Sequence, residues 1–177
     1  MRTLTLEESR YLLCKMVKYK RNCLILSIEK KKLSKLVYRI QKSRLFEVFL
    51  GIARQTENFQ NKQIGSLGTC IARKTHSERL LLMIPFINVI LNHPGTASVG
   101  LTRNGEVLFL RGLHLPQIFL TWASKNLIRG EGVYVCGPSR VILGFGEIIL
   151  NLPLDKTVIN KKMVLANHAD IGSFTRT

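Results

Sequence analysis

A capping signal followed by apolar residues at helical spacing opens the chain. Thr5 and Glu8 have the spacing of a capping box, in which a hydroxyl and a carboxylate each bind a free backbone N–H at a helix start. Leu13, Met16 and Val17 follow at the spacing of one helix face. The pattern therefore predicts a helix behind Thr5 that turns these three apolar side chains inward.

Short apolar runs between charged or turn-forming segments predict strands in the rest of the first half. These runs cover residues 23–28, 36–40, 66–70 and 80–84, and residues 48–59 are a helix candidate. Pro85 is expected to open another helix that ends before His93, because proline is tolerated at the first helical position. The first half is therefore predicted to be a mixed α and β domain.

An Asn-Gly pair gives a hairpin signal early in the second half. Asn104 and Gly105 stand between apolar runs at 99–101 and 107–110. Both residues tolerate the positive φ of a type I′ turn, so the pattern predicts two strands joined by this turn.

The remaining second half is predicted to be nearly all β. A short helix is expected over residues 113–123, and strands are expected over 132–136, 141–150 and 163–166. Gly144 and Gly146 interrupt the second of these strands, which indicates a bulge or a close approach of another backbone. About 80 residues of short strands with one helix are typical of a small barrel.

Charge distinguishes the two halves. The chain has 177 residues, of which 46 % are apolar, so most of it can bury a core and disorder is excluded for most of its length. Its net charge is +16, of which residues 1–93 carry +12 and residues 94–177 carry +4. We therefore predict domains at 1–93 and 94–177, joined at the Pro-Gly of residues 93–96. Such a basic chain is expected to meet phosphate, as nucleic acid or as an anionic surface.

Catalytic motifs are missing from the sequence. Gly144-Phe145-Gly146 lacks the third glycine of a dinucleotide loop, because Ile149 stands in its place. The chain has only two aspartates, Asp155 and Asp170, and no pair of carboxylates is placed for acid–base work. We expect a protein that is not an enzyme and that binds no small-molecule substrate or cofactor.

Metal and membrane classes are not favoured either. The four cysteines form no Cys-x-x-Cys pair and the four histidines are scattered, so no metal site is expected. The longest apolar run, residues 80–91, is too short to span a bilayer and contains Pro85 and Asn88. The first residues carry no apolar stretch of a signal peptide. Reduced thiols in a nuclear or cytosolic protein are therefore expected.

The basic residues of the second half form the first candidate RNA site. Lys156, Lys161 and Lys162 stand between two predicted strands, and Arg111 and His114 stand at the start of the predicted helix. Cations at a strand–helix junction of a small barrel, where backbone N–H groups are free, can grip a phosphate chain.

A second basic run lies in the first half. Lys30, Lys31 and Lys32 belong to the charged connector between two predicted strands. Charge runs are usually solvated. A solvated loop without a binding role and a contact with RNA or a partner protein are therefore equally favoured interpretations of this run.

Motifs along both halves resemble one family, the Nip-seven family of large-subunit ribosome-biogenesis proteins, over essentially the full length. In the first half they are Met1-Arg2, Leu4-Thr5, Glu7-Glu8, Ser66-Leu67-Gly68-Thr69-Cys70, Lys74-Thr75-His76 and Arg79-Leu80. In the second half they are Phe109-Leu110, Gly112, His114, Gly132-Val133-Tyr134, Leu143-Gly144-Phe145-Gly146 and His168-Ala169-Asp170-Ile171-Gly172. Four blocks in the same order in the second half are far more specific than a lone Gly-Phe-Gly.

The resemblance implies an α+β protein: an N-terminal α/β domain with an antiparallel sheet, followed by a C-terminal PUA pseudo-barrel. It implies a non-enzymatic assembly factor in nuclear, nucleolar and also cytoplasmic pre-60S particles, monomeric within a large ribonucleoprotein. The implied partners are pre-rRNA or 60S-precursor rRNA and other pre-60S assembly factors. The family ties RNA binding to the segment that holds Lys156, where Thr157 replaces a basic residue and Lys161 and Lys162 are extra.

Two alternatives belong to other classes. The chain could be a protein-interaction adaptor within pre-ribosomes, in which the charge serves only docking. It could also be the RNA-guiding part of an RNA-modifying enzyme, since PUA domains often accompany a catalytic domain. A pseudouridine synthase needs an aspartate nucleophile, and residues 1–154 contain no aspartate, so that version is not favoured.

Overall fold

An antiparallel five-stranded sheet organises the first part of the chain. The computed structural model describes residues 2–19, 36–41, 43–49, 68–77, 79–91, 96–124, 127–152 and 162–176. The strands are β1 (Arg2–Thr3), β2 (Leu36–Gln41), β3 (Arg44–Phe49), β4 (Thr69–Lys74) and β5 (Leu80–Leu82), paired in chain order. Helix α1 (Leu6–Val17) follows β1, and α2 (Phe86–Leu91) follows β5 directly after Pro85.

The predicted capping box of α1 is confirmed. The backbone N–H of Thr5 donates to Glu8 Oε2 at 2.9 Å, and the N–H of Glu8 donates to Thr5 Oγ1 at 3.2 Å. The predicted apolar face is only partly right, because Met16 is buried whereas Val17 is 43 % exposed. Among the helix side chains that the structure describes, Leu12 is buried as well, one position away from the predicted stripe.

A six-stranded, nearly closed sheet forms the second part of the chain. Its strands are β6 (Ala97–Leu101), β7 (Leu115–Pro116), β8 (Leu120–Ala123), β9 (Gly132–Cys136), β10 (Ile142–Ile148) and β11 (Met163–Asp170). Their order is β7-β11-β10-β9-β6-β8, and only β6 and β9 pair in parallel. Alternate residues of these strands, among them Val99, Val133, Val135 and Leu165, build one hydrophobic core. The predicted fold class, an α+β protein with an antiparallel sheet and a β pseudo-barrel, is confirmed.

The predicted Asn-Gly hairpin is wrong, because residues Arg103–Leu110 form helix α3. Thr102 caps it, since its Oγ1 accepts a hydrogen bond from the Gly105 N–H at 3.1 Å. A Cβ on Gly105 would lie 2.8 Å from the Cβ of Phe119. The glycine therefore permits close packing against the next segment instead of supplying a positive φ.

The predicted helix over 113–123 is also wrong. Leu115 and Pro116 pair with β11, residues Gln117–Phe119 form one 3₁₀ turn, and Leu120–Ala123 pair with β6. Proline cannot continue a helix but is tolerated in an edge strand, and β7 is such a strand.

The other strand predictions mostly agree with the structure. Strands β2, β5, β9, β10 and β11 lie where they were expected, and β11 is longer than predicted. Residues 48 and 49 end β3 instead of beginning a helix. The run 23–28, most of the helix candidate 48–59, and residues 66 and 67 lie outside the described residues.

The chain divides into two compact units. Met1–Lys15 and Asn22–Phe86 form one unit, and Met16–Arg21 and Ile87–Thr177 form the other. The predicted joint at 93–96 lies mainly outside the described residues and stays a prediction. Among the helices that the structure describes, none combines the length and apolar character needed to cross a membrane.

Gly144 and Gly146 allow two backbones to approach each other, as the sequence indicated. The pairing of β10 with β11 shifts register between Phe145 and Gly146. A Cβ on Gly144 would meet the Ala169 carbonyl and lie 2.7 Å from the Asp170 Cα. Any larger side chain at Gly144 would therefore push β10 and β11 apart.

We expect Gly144→Val to lower the free energy of unfolding by about 3 kcal/mol, because a β-branched side chain there collides with backbone that cannot swing away. Chemical denaturation of the full-length protein measures the effect. Met163→Val, at an exposed position of β11, places the same side chain without a collision and should stay within about 0.5 kcal/mol of wild type. Equal stability of the two variants would contradict the packing argument.

Candidate nucleic-acid interface

Helix α3 presents a basic face away from the barrel core. Gly105 and Phe109 are its buried residues, and they lie on the side of the helix opposite Val107. Arg103, Val107 and Arg111 follow one another at four-residue spacing on that opposite side, and all three are exposed. This face therefore places one guanidinium group on each side of the apolar Val107 side chain.

The one carboxylate of α3 does not share this face. Glu106 points toward the turn after β9, where a Cβ on Gly137 would lie 3.2 Å from Glu106 Oε1. The Glu106 carboxylate therefore lies near Gly137 and forms no ion pair with Arg103 or Arg111 among the described residues. Because guanidinium groups bind phosphate bidentately, the face suits the backbone of a nucleic acid.

A buried carboxylate stands behind the end of α3. Asp170, the last residue of β11, is 1 % exposed. Its Oδ1 accepts from Arg176 Nη1 at 2.9 Å, and its Oδ2 accepts from Arg176 Nη2 and Asn167 Nδ2, both at 2.9 Å. The same bonds raise the pKa of the Arg176 guanidinium, because they favour its charged form.

The two donors held by Asp170 also bind the last carbonyls of α3. Asn167 Nδ2 donates to the Phe109 carbonyl at 2.7 Å, and Arg176 Nη1 donates to the Leu110 carbonyl. The last carbonyls of a helix lack the usual partner four residues on, and here these side chains add to the Gly112 N–H, which donates to the Phe109 carbonyl at 2.9 Å. Asp170 thereby fixes the point from which the loop between α3 and β7 departs.

The loop itself carries two of the predicted RNA-binding residues. Arg111 is the C-cap just after α3, Gly112 follows with a φ of +83°, and His114 precedes β7. The His114 Nδ1 accepts a hydrogen bond from the Asn167 backbone N–H at 3.0 Å. The neutral ring therefore carries its proton on Nε2, as a donor. The structure brings Arg111 and His114 into one exposed loop and ties it to Asn167.

Lys162 lies at the other end of the β7–β11 pairing. It is exposed just before Met163, and its carbonyl accepts from the Gln117 N–H at 3.3 Å. Met163 pairs with Pro116, whereas His114 bonds to Asn167 further along β11. Lys156, Lys161, Lys30, Lys31 and Lys32 lie outside the described residues.

Arg103 is a candidate that the sequence reasoning missed. The hairpin prediction placed it in a turn, and only a helix aligns it with Arg111. The signal was present in Thr102, a good capping residue three positions before Gly105. Asp170 and Arg176 could not be linked to α3 from the sequence, because 60 or more residues separate them from Phe109 and Leu110.

A second polar cluster packs Lys18 and Tyr19 onto the barrel. Tyr19 OH lies 2.9 Å from His168 Nδ1, and His168 Nε2 lies 3.7 Å from Glu147 Oε2, to which Lys18 Nζ also bonds at 2.9 Å. Burial, with the nearby Glu147 charge, raises the pKa of Tyr19, so the phenol stays protonated. Its ring packs edge-on against Phe145 at 5.5 Å. With the phenol only 2 % exposed, this arrangement holds Lys18 and Tyr19 in place and offers no accessible nucleophile.

Within the part of the chain that the structure describes, other side chains that could bind a metal or act as nucleophiles form no site. Among the described residues, no group of three or more His, Cys, Asp or Glu is placed to hold a metal. Burial raises the pKa of the Cys70 and Cys136 thiols, so both stay protonated and unreactive at neutral pH. In the first unit, Glu8 and Lys74 line a cavity of about 130 Å³, well below the size of typical small-molecule sites.

We expect Asp170→Asn to free the loop between α3 and β7. An amide has one oxygen acceptor, whereas both carboxylate oxygens of Asp170 accept hydrogen bonds from Arg176 and Asn167. The loss of charge-assisted bonds to a buried group should lower the free energy of unfolding by about 2 kcal/mol. Amide hydrogen exchange should speed up at residues 110–114 more than at β9. Asp155→Asn removes the same charge from the only other aspartate and serves as control. Unchanged exchange in the loop would show that Asp170 does not fix it.

Comparison with known proteins relates the whole chain to one group. It is 27 % identical over 176 residues to the 60S ribosome subunit biogenesis protein NIP7 of Saccharomyces cerevisiae, covering 99 % of this chain and 96 % of that protein. The NIP7 homologues of Sus scrofa and Dictyostelium discoideum are 27 % and 23 % identical, each over 99 % of this chain and 97 % of the relative. No protein-family model matches the sequence.

Solved structures agree on the fold. A PUA domain from Aeropyrum pernix K1 superposes with a TM-score of 0.53 at 12 % identity, covering 97 % of this chain and 85 % of that one. A hypothetical protein from Pyrococcus horikoshii OT3 superposes with a TM-score of 0.50 at 12 % identity, covering 89 % and 90 %. The chain has the PUA-type fold and is similar to the NIP7 proteins along nearly its whole length.

Proposed function

We propose that the chain is a non-enzymatic, RNA-binding assembly factor of the large ribosomal subunit, needed for pre-rRNA processing. The observation that carries the proposal is the similarity over 176 residues to proteins named for 60S subunit biogenesis. A net charge of +16 supports it, because a surface of that charge attracts a phosphate backbone strongly.

RNA binds, in this proposal, across the outward face of α3 and the loop that follows it. Arg103 and Arg111 contact phosphates, and His114 donates through Nε2 to a phosphate or a base edge. The buried bonds of Asp170 support this assignment, because they hold the loop in one conformation before RNA arrives. A preformed loop loses less conformational entropy on binding than a flexible one does.

The proposal also includes the basic segment before β11. Lys162 is exposed where β11 begins, and Lys156 and Lys161 precede it in the sequence. These lysines supply charge along the RNA path, whereas Lys30, Lys31 and Lys32 serve a contact with RNA or a partner protein in the first half.

The partners follow from the same proposal. They are pre-rRNA or 60S-precursor rRNA and other pre-60S assembly factors, which the chain meets as a monomer within a large ribonucleoprotein. Its location is then the nucleus and nucleolus, with passage into the cytoplasm. A protein-interaction adaptor is the rival function, and it differs in losing RNA once its protein partners are stripped away.

We expect the purified protein to bind single-stranded RNA with a strong salt dependence. About three to five neutralised phosphates give a slope of log K against log salt of roughly −2 to −3.5, at about −0.7 per phosphate. Fluorescence anisotropy at several salt concentrations measures the slope.

Arg103→Glu should weaken RNA binding about tenfold without destabilising α3, because a carboxylate stabilises a helix start. Arg129→Glu, an exposed reversal outside α3, is the matched control. Equal effects of the two reversals would contradict the assigned face, and no RNA binding at all would favour the adaptor.

We expect the two lysine clusters to differ in their effect. Replacing Lys156, Lys161 and Lys162 with Glu should weaken RNA binding at low salt by at least about tenfold, because three attractions become repulsions. The same reversal at Lys30, Lys31 and Lys32 should weaken it less and act mainly on incorporation into the precursor particle. Both variants carry the same net charge, so each controls for the other. If only the 30–32 reversal weakened RNA binding, the first half would be the RNA reader.

A further inference from the structure

Trp122 lies flat on the backbone of the neighbouring strand at the edge of the barrel sheet. It pairs with Gly100 in the β8–β6 register. A Cβ on Gly100 would fall against indole atoms Nε1, Cε2 and Cδ1, all at comparable distances. The indole therefore covers Gly100 with its face and not with its edge, and glycine is needed there because any side chain would lift the ring.

The opposite face of the indole is open to solvent. Trp122 is 42 % exposed, and its neighbours Thr121 and Ala123 are exposed as well. Strand β8 is the last in the sheet order, so its outer edge pairs with no other strand of that sheet among the described residues. A flat aromatic surface, supported from below and accessible from above, is a stacking platform for a planar ligand.

The phosphate-binding face of α3 begins close to this platform. Arg103 follows Gly100 by three residues, a separation of at most about 11 Å along the backbone. The Thr102 N–H donates to the Phe119 carbonyl at 2.9 Å, which joins the start of α3 to the segment entering β8. Cations beside an exposed aromatic ring fit a charged ligand with planar groups, which favours RNA over an added peptide strand.

We propose that Trp122 stacks an unpaired nucleobase of single-stranded RNA whose phosphates run toward Arg103. The inference rests on the proposed function and adds to it a base-binding position that the basic residues alone do not provide. Base stacking on an aromatic side chain tolerates every base, so this position contributes affinity without strong sequence preference.

The test uses the full-length protein and two short oligonucleotides with equal numbers of phosphates, an oligouridylate and its abasic counterpart. Trp122 is the only tryptophan of the chain, so intrinsic tryptophan fluorescence reports on this position alone. The oligouridylate should quench the fluorescence and the abasic oligonucleotide should not. Equal quenching by both, or binding of the oligouridylate without quenching, overturns the proposal.

Variants separate stacking from a structural role of the indole. Trp122→Leu keeps an apolar cover over Gly100 and should weaken oligouridylate binding about tenfold without changing abasic binding. Trp122→Phe should restore most of the affinity, and Ile118→Ala, at another half-exposed position, is the control. Unchanged oligouridylate affinity in Trp122→Leu overturns the proposal and leaves the β8 edge to a protein strand. If neither oligonucleotide binds the wild-type protein, the proposed RNA-binding function fails as well.

Discussion

The buried carboxylate of Asp170 is the interaction on which the candidate surface depends. A charge that is 1 % exposed is stable only when donors surround it, and Arg176 and Asn167 provide them on both oxygens. Because the same two donors reach the last carbonyls of α3, one buried group joins the end of β11, the end of α3 and the segment after β11. The loop carrying Arg111 and His114 takes its geometry from this junction.

Close backbone approach is the second constraint on the barrel. Gly144 lies against Ala169 and Asp170, Gly146 against the Ala166 carbonyl, and Gly172 against the Leu110 carbonyl. Each glycine removes the side chain that would separate β11 or its following turn from its neighbours. At Gly172 this close approach brings the Leu110 carbonyl beside the turn after β11, where Arg176 donates to it.

The correct and the wrong predictions differ in how far apart in the sequence the residues that determine the local structure lie. The capping box of α1 depends on neighbours in sequence and was predicted correctly. The glycines of β10 were predicted to mark a bulge or a close backbone approach, and the structure shows a register shift and the approach of β11 there. The predicted Asn104-Gly105 turn is wrong because a helix there is capped by Thr102 and packs against Phe119. A type I′ hairpin would make neither contact. Local preferences of about 1 kcal/mol are readily overridden by such tertiary contacts. Because residues 103–110 form a helix, Arg103 aligns with Arg111, and this alignment was not predicted from the sequence.

The sequence by itself determined the charge excess, its concentration in residues 1–93, the capping of α1 and most strand positions among the described residues. These features depend on composition and on periodicity within a few residues. The tertiary structure alone decided that Asp170 supports that loop, that Tyr19 packs with the barrel, and that Trp122 rests on Gly100. The contacts that join distant segments here are Trp122 with Gly100, Arg176 with Leu110, and Tyr19 with His168, and their residues are 22, 66 and 149 positions apart. Pairings over such separations depend on which strands lie side by side, and that is set by the burial of the whole core and not by any local pattern.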